Sequence, residues 1–148
     1  MKTVRLPLRS KPAELLKSTG LALEYFPAFE HEGVDDLPMH THDFVEMNYI
    51  IKGRCQHVTQ ENTFVDKAGT ISIIHYHQEH AIFTPFGPIE KMNIYLDFHR
   101  FTLPSMPLEL QKILGVILPM HPALQHKLNG VIHLMFDRPI IVTHILHT

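Results

Sequence analysis

Two imidazoles and a carboxylate stand close together in His40-Thr41-His42-Asp43-Phe44-Val45-Glu46, and Gly53 follows soon after. The stretch reads as a strand, on which side chains two apart point to the same side. His40, His42 and Glu46 therefore share one face. His80 follows a second strand led by Gly69 and supplies a third imidazole. Three imidazole nitrogens and one carboxylate oxygen form a donor set for a divalent transition metal, whether Zn, Fe, Mn, Ni or Cu. Without an ion, the same groups would line a polar pocket and hydrogen-bond an organic ligand. Both chemistries stay open at this point. His75 and His77 read as loop or rim residues, and His99, His121, His126, His133, His144 and His147 as exposed or interfacial.

These residues need a scaffold of short strands. Residues 1–19 read as an arm with a short helix: Ser10 caps it, Pro12 sits near its first turn, and Gly20 ends it. Residues 21–28 alternate as a first strand, and residues 44–51 are apolar on both faces, as in a strand covered on both sides. Residues 56–60 and 62–65 form a hairpin turning at Glu61-Asn62. Asp66-Lys67-Ala68-Gly69 reads as a turn, and residues 70–74, 80–84 and 91–98 as further strands. Seven or eight short strands with regular turns predict a mainly β sandwich or jelly-roll barrel. Phe44, Ile73, Phe83 and Phe98 belong to its core.

The pattern changes near residue 104. Leu110, Ile113, Leu114 and Ile117 keep helical spacing, and Leu124, Leu128, Val131, Ile132 and Met135 form a second apolar stripe. The reading is a barrel with an N-terminal arm over residues 1–103, then a helical dimerisation or linker segment over residues 104–148. Two apolar stripes after a complete barrel predict a homodimer. The chain ends inside an apolar stretch and looks cut rather than finished.

Composition excludes several classes. The 148 residues suffice for one domain with a buried core, and 45% hydrophobic with 19% charged residues describes an ordinary soluble chain. Thirteen basic against fifteen acidic residues give a net charge of −2, so this chain alone is not expected to grip nucleic acid. Cys55 is the sole cysteine, which excludes a disulfide framework and suits a reducing, cytoplasmic compartment. It reads as a small buried side chain. No signal peptide or transmembrane segment is expected.

His40-x-His42-x3-Glu46-x6-Gly53 resembles the first motif of the cupins, and Gly69-x5-His75-x-His77-x2-His80 resembles the second. The second departs from the usual pattern. Cupins carry Pro and Gly where this chain has His75 and His77, and Asn where it has Thr84; Gly33 lies one residue too far from His40. The resemblance implies a double-stranded β-helix with His40, His42, Glu46 and His80 as metal ligands.

Met39 to Met47, followed by Tyr49-Ile50-Ile51-Lys52-Gly53, is similar to the sensing domain of AraC-type transcription regulators. Asn93-Ile94-Tyr95-Leu96-Asp97-Phe98 resembles their last barrel strand, and Leu103-Pro104 with the apolar pattern beyond resembles the helices that follow. This resemblance implies a sensor that binds a small-molecule effector, such as a sugar or carboxylic acid, through His40, His42, Glu46, Asn48 and His80. It also implies a dimer whose DNA-binding domain is missing from this chain. The alternative is a metal-dependent cupin enzyme (a dioxygenase, isomerase or lyase) using the three His and Glu46. A stand-alone sugar-binding or storage-like barrel is the third reading.

Overall fold

The computed structural model describes residues 4–5, 10–31, 39–100, 105–117 and 132–135. Among these residues ten strands and two helices follow in the order β1 (Val4–Arg5), α1 (Ser10–Thr19), β2 (Leu21–Phe29), β3 (His40–Thr41), β4 (Val45–Lys52), β5 (Arg54–Thr59), β6 (Thr63–Lys67), β7 (Thr70–Ile74), β8 (His80–Phe83), β9 (Ile89–Leu96), α2 (Leu108–Ile117) and β10 (Ile132–Met135). They build two five-stranded sheets, β1-β3-β8-β5-β6 and β10-β7-β4-β9-β2. From β3 onward the chain passes repeatedly between the sheets. All pairings are antiparallel except β1 with β3. This is the expected jelly-roll architecture.

The central strand β4 explains the layering. Its β-branched and aromatic residues favour a pleated, doubly covered position. On one face Val45 packs with Ile73, Tyr76 and Leu96, against Met47, Ile71, Ile94, Leu114 of α2 and Leu134 of β10. The other face, carrying Glu46, Asn48 and Ile50, looks into the barrel. There Ile50 packs with Cys55, Ile82 and Ile89, closing one end with an apolar plug. At the other side Leu16 of α1 meets Ala22, Phe44 and Tyr95. The interior is thus polar in the middle and apolar at its ends.

Several boundaries fall where the sequence places them. Gly20, at φ +76°, ends α1, and its N–H donates to the Leu16 carbonyl at 2.8 Å. Gly53, at φ +87°, turns the chain from β4 in one sheet to β5 in the other. A Cβ there would stand 3.0 Å from Ile89 Cγ2 and 3.3 Å from the Pro88 carbonyl oxygen. Gly53→Ala therefore combines left-handed strain with a clash, and is expected to cost about 2 kcal/mol in urea unfolding. A variant as stable as the parent would contradict this packing.

Two readings need correction. Ile132 to Met135, the end of the second apolar stripe, is a strand rather than helix. It pairs with β7 from Ile132↔Ile73 to Met135↔Thr70, because the second edge of β7 offers unpaired backbone groups that outweigh helical periodicity. Leu124, Leu128 and Val131 lie outside the described residues. Asp66 is no turn residue either: it is the fourth residue of β6, paired with Cys55 and 3% exposed. Of the other expectations, α2 forms where the first stripe predicts it, and Cys55 is fully buried with its thiol pushed up to about 12, chiefly by burial.

Candidate ligand-binding site in the barrel

His40, His42, Glu46, Asn48 and His80 are all buried, at 6% exposure or less. They converge, but not for the reason their spacing suggests. The chain bends at residues 42–44, so His40 lies on β3 in one sheet, and Glu46 and Asn48 on β4 in the other. His42 sits on the bend between them. Two short strands facing one another across the barrel replace the single strand that shared parity implies. His40 is paired in register with His80, so the sheet fixes those two imidazoles side by side, with ring centroids 4.4 Å apart.

Glu46 is the hub. Its Oε1 accepts hydrogen bonds from Asn48 Nδ2 at 3.0 Å and Asn93 Nδ2 at 2.9 Å. Its Oε2 lies 2.8 Å from His42 Nε2 and 3.8 Å from His80 Nε2. Burial alone would push this carboxyl up. The hydrogen bond with His42, the charges of His42 and His80 when protonated, and the Lys91 ammonium more than offset it. The two amide donors act in the same direction, since they bond the charged form. Glu46 is held well below the usual carboxylate range. His80 is also shifted well down: burial is the largest cause, neighbouring imidazoles add to it, and Glu46 opposes it. It is therefore neutral at physiological pH.

The surroundings include residues that spacing alone does not single out. Asn48 lies in register with Ser72 on one side and Asn93 on the other, making a polar row across the sheet. Lys91 is buried, bonds Asn48 Oδ1 at 3.3 Å, and lies over Phe29 with 3.9 Å to the ring centroid. Burial lowers its pKa, against the opposing pull of Glu46, Cys55 and Glu24. Tyr95 accepts from Asn93 Nδ2 and donates to Glu24 Oε2, both at 2.9 Å. On the facing sheet, His57 Nε2 lies 3.1 Å from His80 Nδ1, and His57 Nδ1 lies 3.2 Å from Asp66 Oδ2.

Three polar atoms here are buried without a hydrogen-bond partner among the described residues: His42 Nδ1, Ser72 Oγ and Asn93 Oδ1. Buried polar groups are nearly always satisfied, so these atoms call for a ligand, an ion or water. A metal fits the histidines. The donor atoms of His40, His42 and His80 all lie within 4.8 Å of one another, and His42 Nε2 and His80 Nε2 are 3.3 Å apart. Two nitrogens each about 2.1 Å from one zinc ion stand roughly 3.0–3.4 Å apart at octahedral to tetrahedral angles. Glu46 Oε2 adds an oxygen donor beside the same two nitrogens.

The departures of the second motif have structural counterparts. His77 is the one described non-glycine residue at positive φ, +61°, which is the conformation that glycine supplies most cheaply. It is exposed and faces Asp43, with Nδ1 3.4 Å from Oδ1, and its N–H donates to the His42 carbonyl at 2.8 Å. His75, by contrast, is a loop residue but no rim residue: its side chain is fully buried. Its N–H donates to Gln78 Oε1 at 2.8 Å, a bond that proline could not make.

Comparisons place this geometry among known proteins. The chain is similar in structure to ToxT from Vibrio cholerae, at 8% identity and a TM-score of 0.52, over 86% of this chain and 48% of that one. It therefore spans about half the length of ToxT. A cupin protein from Bacteroides fragilis is 19% identical, with a TM-score of 0.46, over 73% of this chain and 94% of that one. No curated protein matches in sequence. Among the described residues no helix is long and apolar enough to cross a membrane. The family described as "AraC-like ligand binding domain" matches residues 27–147. Most of the chain, including every residue of the buried cluster, falls within that match, and the chain belongs to the AraC-like ligand-binding domains.

Proposed function

We propose that this chain senses a small polar metabolite inside the barrel, as the cytoplasmic effector-binding part of an AraC-type transcription regulator. The observation that carries the reading is the set of unpartnered buried atoms beside the Glu46 hub. Asn93 Oδ1 is only an acceptor, so it asks for a hydroxyl or amine donor that a bare carboxylate lacks. Ser72 Oγ can donate or accept. A hydroxylated metabolite, such as a sugar or hydroxy acid, matches both. His40, His42, Glu46 and His80 would hold a divalent transition metal, with Asn48 beside them. When bound, the ion would act as an electron-pair acceptor for an oxygen of the effector.

Effector binding would stabilise the interior and bias the elements packed around it. Leu108, Leu110 and Ile113 are exposed on α2 while Leu114 packs inward. The outer stripe suits self-association, which would set the spacing of two DNA-binding units in an intact regulator. DNA recognition would belong to a separate domain of the intact regulator.

The test is a thermal-shift screen of sugars, polyols, hydroxy acids and unhydroxylated carboxylates, with and without chelator. Hydroxylated compounds should raise the melting temperature of the parent, and Asn93→Leu should abolish that rise. Equal responses in the parent and in Asn93→Leu would contradict the proposed site.

A further inference from the structure

Five side chains form an unbroken chain through the barrel: Asp66, His57, His80, His42 and Glu46. The contacts are 3.2 Å from Asp66 Oδ2 to His57 Nδ1, 3.1 Å from His57 Nε2 to His80 Nδ1, 3.3 Å from His80 Nε2 to His42 Nε2, and 2.8 Å from His42 Nε2 to Glu46 Oε2. All five residues are buried, at 6% exposure or less. A carboxylate stands at each end, and an ionised carboxylate can only accept. A neutral imidazole has one N–H and one lone pair, so the two ends determine the protons in between.

Counting from Glu46, His42 Nε2 must carry a proton, since a lone pair facing the carboxylate would be repelled. His80 Nε2, 3.3 Å from the same nitrogen, is the weaker second acceptor of that one shared N–H and so presents its lone pair. A neutral His80 consequently has its proton on Nδ1 and donates it to His57 Nε2. His57 in turn carries its own proton on Nδ1 and donates to Asp66. Counting from Asp66 gives the same arrangement, with every donor facing an acceptor and all three imidazoles neutral. The opposite direction would set two N–H groups against each other between His80 and His42.

We propose that His57 and Asp66 are positioning residues that fix His80 in its Nδ1–H form and so keep its Nε2 lone pair turned towards the cluster of His40, His42 and Glu46. Neither residue belongs to the two motifs, and neither is placed to ligate the ion itself. The consequence for binding rests on the metal reading above; the proton arrangement does not. A metal ligand whose second nitrogen is anchored by a carboxylate or its relay is oriented and made more basic, and loss of such an anchor costs about 10–100-fold in metal affinity. His42 needs no such anchor, because its unpartnered Nδ1 can take up the proton that Nε2 gives up when an ion arrives.

The experiment is long-range ¹⁵N–¹H correlation of the histidine rings in chelator-treated protein near pH 7.5. It is followed by Zn²⁺ titration calorimetry on the parent, His57→Phe and His57→Gln. The parent should show His80 protonated at Nδ1 and bare at Nε2. His57→Phe removes the acceptor, so the Nε2–H form of His80 should appear and Zn²⁺ affinity should fall about 10–100-fold. His57→Gln restores an acceptor oxygen without a second imidazole and should recover both within a few-fold. An Nε2–H form of His80 in the parent would overturn the proposal. So would a tautomer unmoved by His57→Phe, or a His57→Gln variant no better than His57→Phe. If the parent shows the Nδ1–H form but binds no Zn²⁺, the metal reading fails and the relay stands. The tautomer in the parent decides the matter even if His57→Phe does not fold.

Discussion

Glu46→Ala is expected to lose about 3–5 kcal/mol of folding stability, the range for breaking a buried charged network. The carboxylate takes two amide hydrogen bonds and one from an imidazole. Without it, one N–H of Asn48 and one of Asn93 are buried with no acceptor, and the His42 N–H keeps only the longer 3.3 Å contact with His80. Lys91, joined to the hub through Asn48, also loses the charge that most opposes the cost of its burial. Glu46→Gln keeps an acceptor for the two asparagines and should cost less, about 1–2 kcal/mol. Both variants should lose metal and effector affinity together. Urea unfolding with calorimetric titration checks this, and a Glu46→Ala variant within 1 kcal/mol of the parent, a loss of roughly fivefold or less in the folding constant, would show that the hub does not hold the barrel.

His75→Leu is expected to stabilise the protein, and to do so most strongly in acid. The ring is fully buried, and neither nitrogen has a hydrogen-bond partner among the described residues. Burial lowers its pKa from 6.5 to about 4. Between those values the unfolded chain binds a proton that the folded chain refuses, so stability falls as pH falls from 6.5 towards 4. The loss from this one residue is on the order of 2–3 kcal/mol near pH 4.5. Leucine has a similar volume and no polar atoms, so it removes both the unsatisfied groups and the proton linkage. Melting temperatures of the two proteins should diverge from pH 7.5 down to 4.5. Parallel curves would mean that His75 is not buried neutral.

Most of the strands, the hairpin, the Gly20 stop and the five residues that meet inside the barrel can be read from the chain, because periodicity and turn chemistry are local; the two-residue β1 and the strand β10 cannot. Their convergence is readable too, although shared parity on one strand is the wrong route to it. A bend at residues 42–44 divides the motif between two sheets, and no local signal separates a bent strand from a straight one. His57 and Asp66 escape notice for a related reason. Asp66 sits next to Lys67-Ala68-Gly69 and has turn chemistry, and only its pairing with Cys55 reveals an inward-facing strand residue. Lys91 alternates like an exposed strand residue. It is buried because Phe26 and Phe29, far away in sequence, offer their ring faces to the ammonium. Ile132 to Met135 is a strand because β7 has a free edge, and edges are a property of the assembled sheet.

Co²⁺ titration followed by visible absorption asks whether His40, His42, Glu46 and His80 act as one binding centre. Chelator-treated parent protein should take up one equivalent and develop ligand-field bands of a site with nitrogen and oxygen donors. His42→Ala and Glu46→Gln should each abolish those bands while near-ultraviolet circular dichroism shows the barrel intact. A parent protein with no bands, or bands that survive in both folded variants, would show that these residues form no such centre.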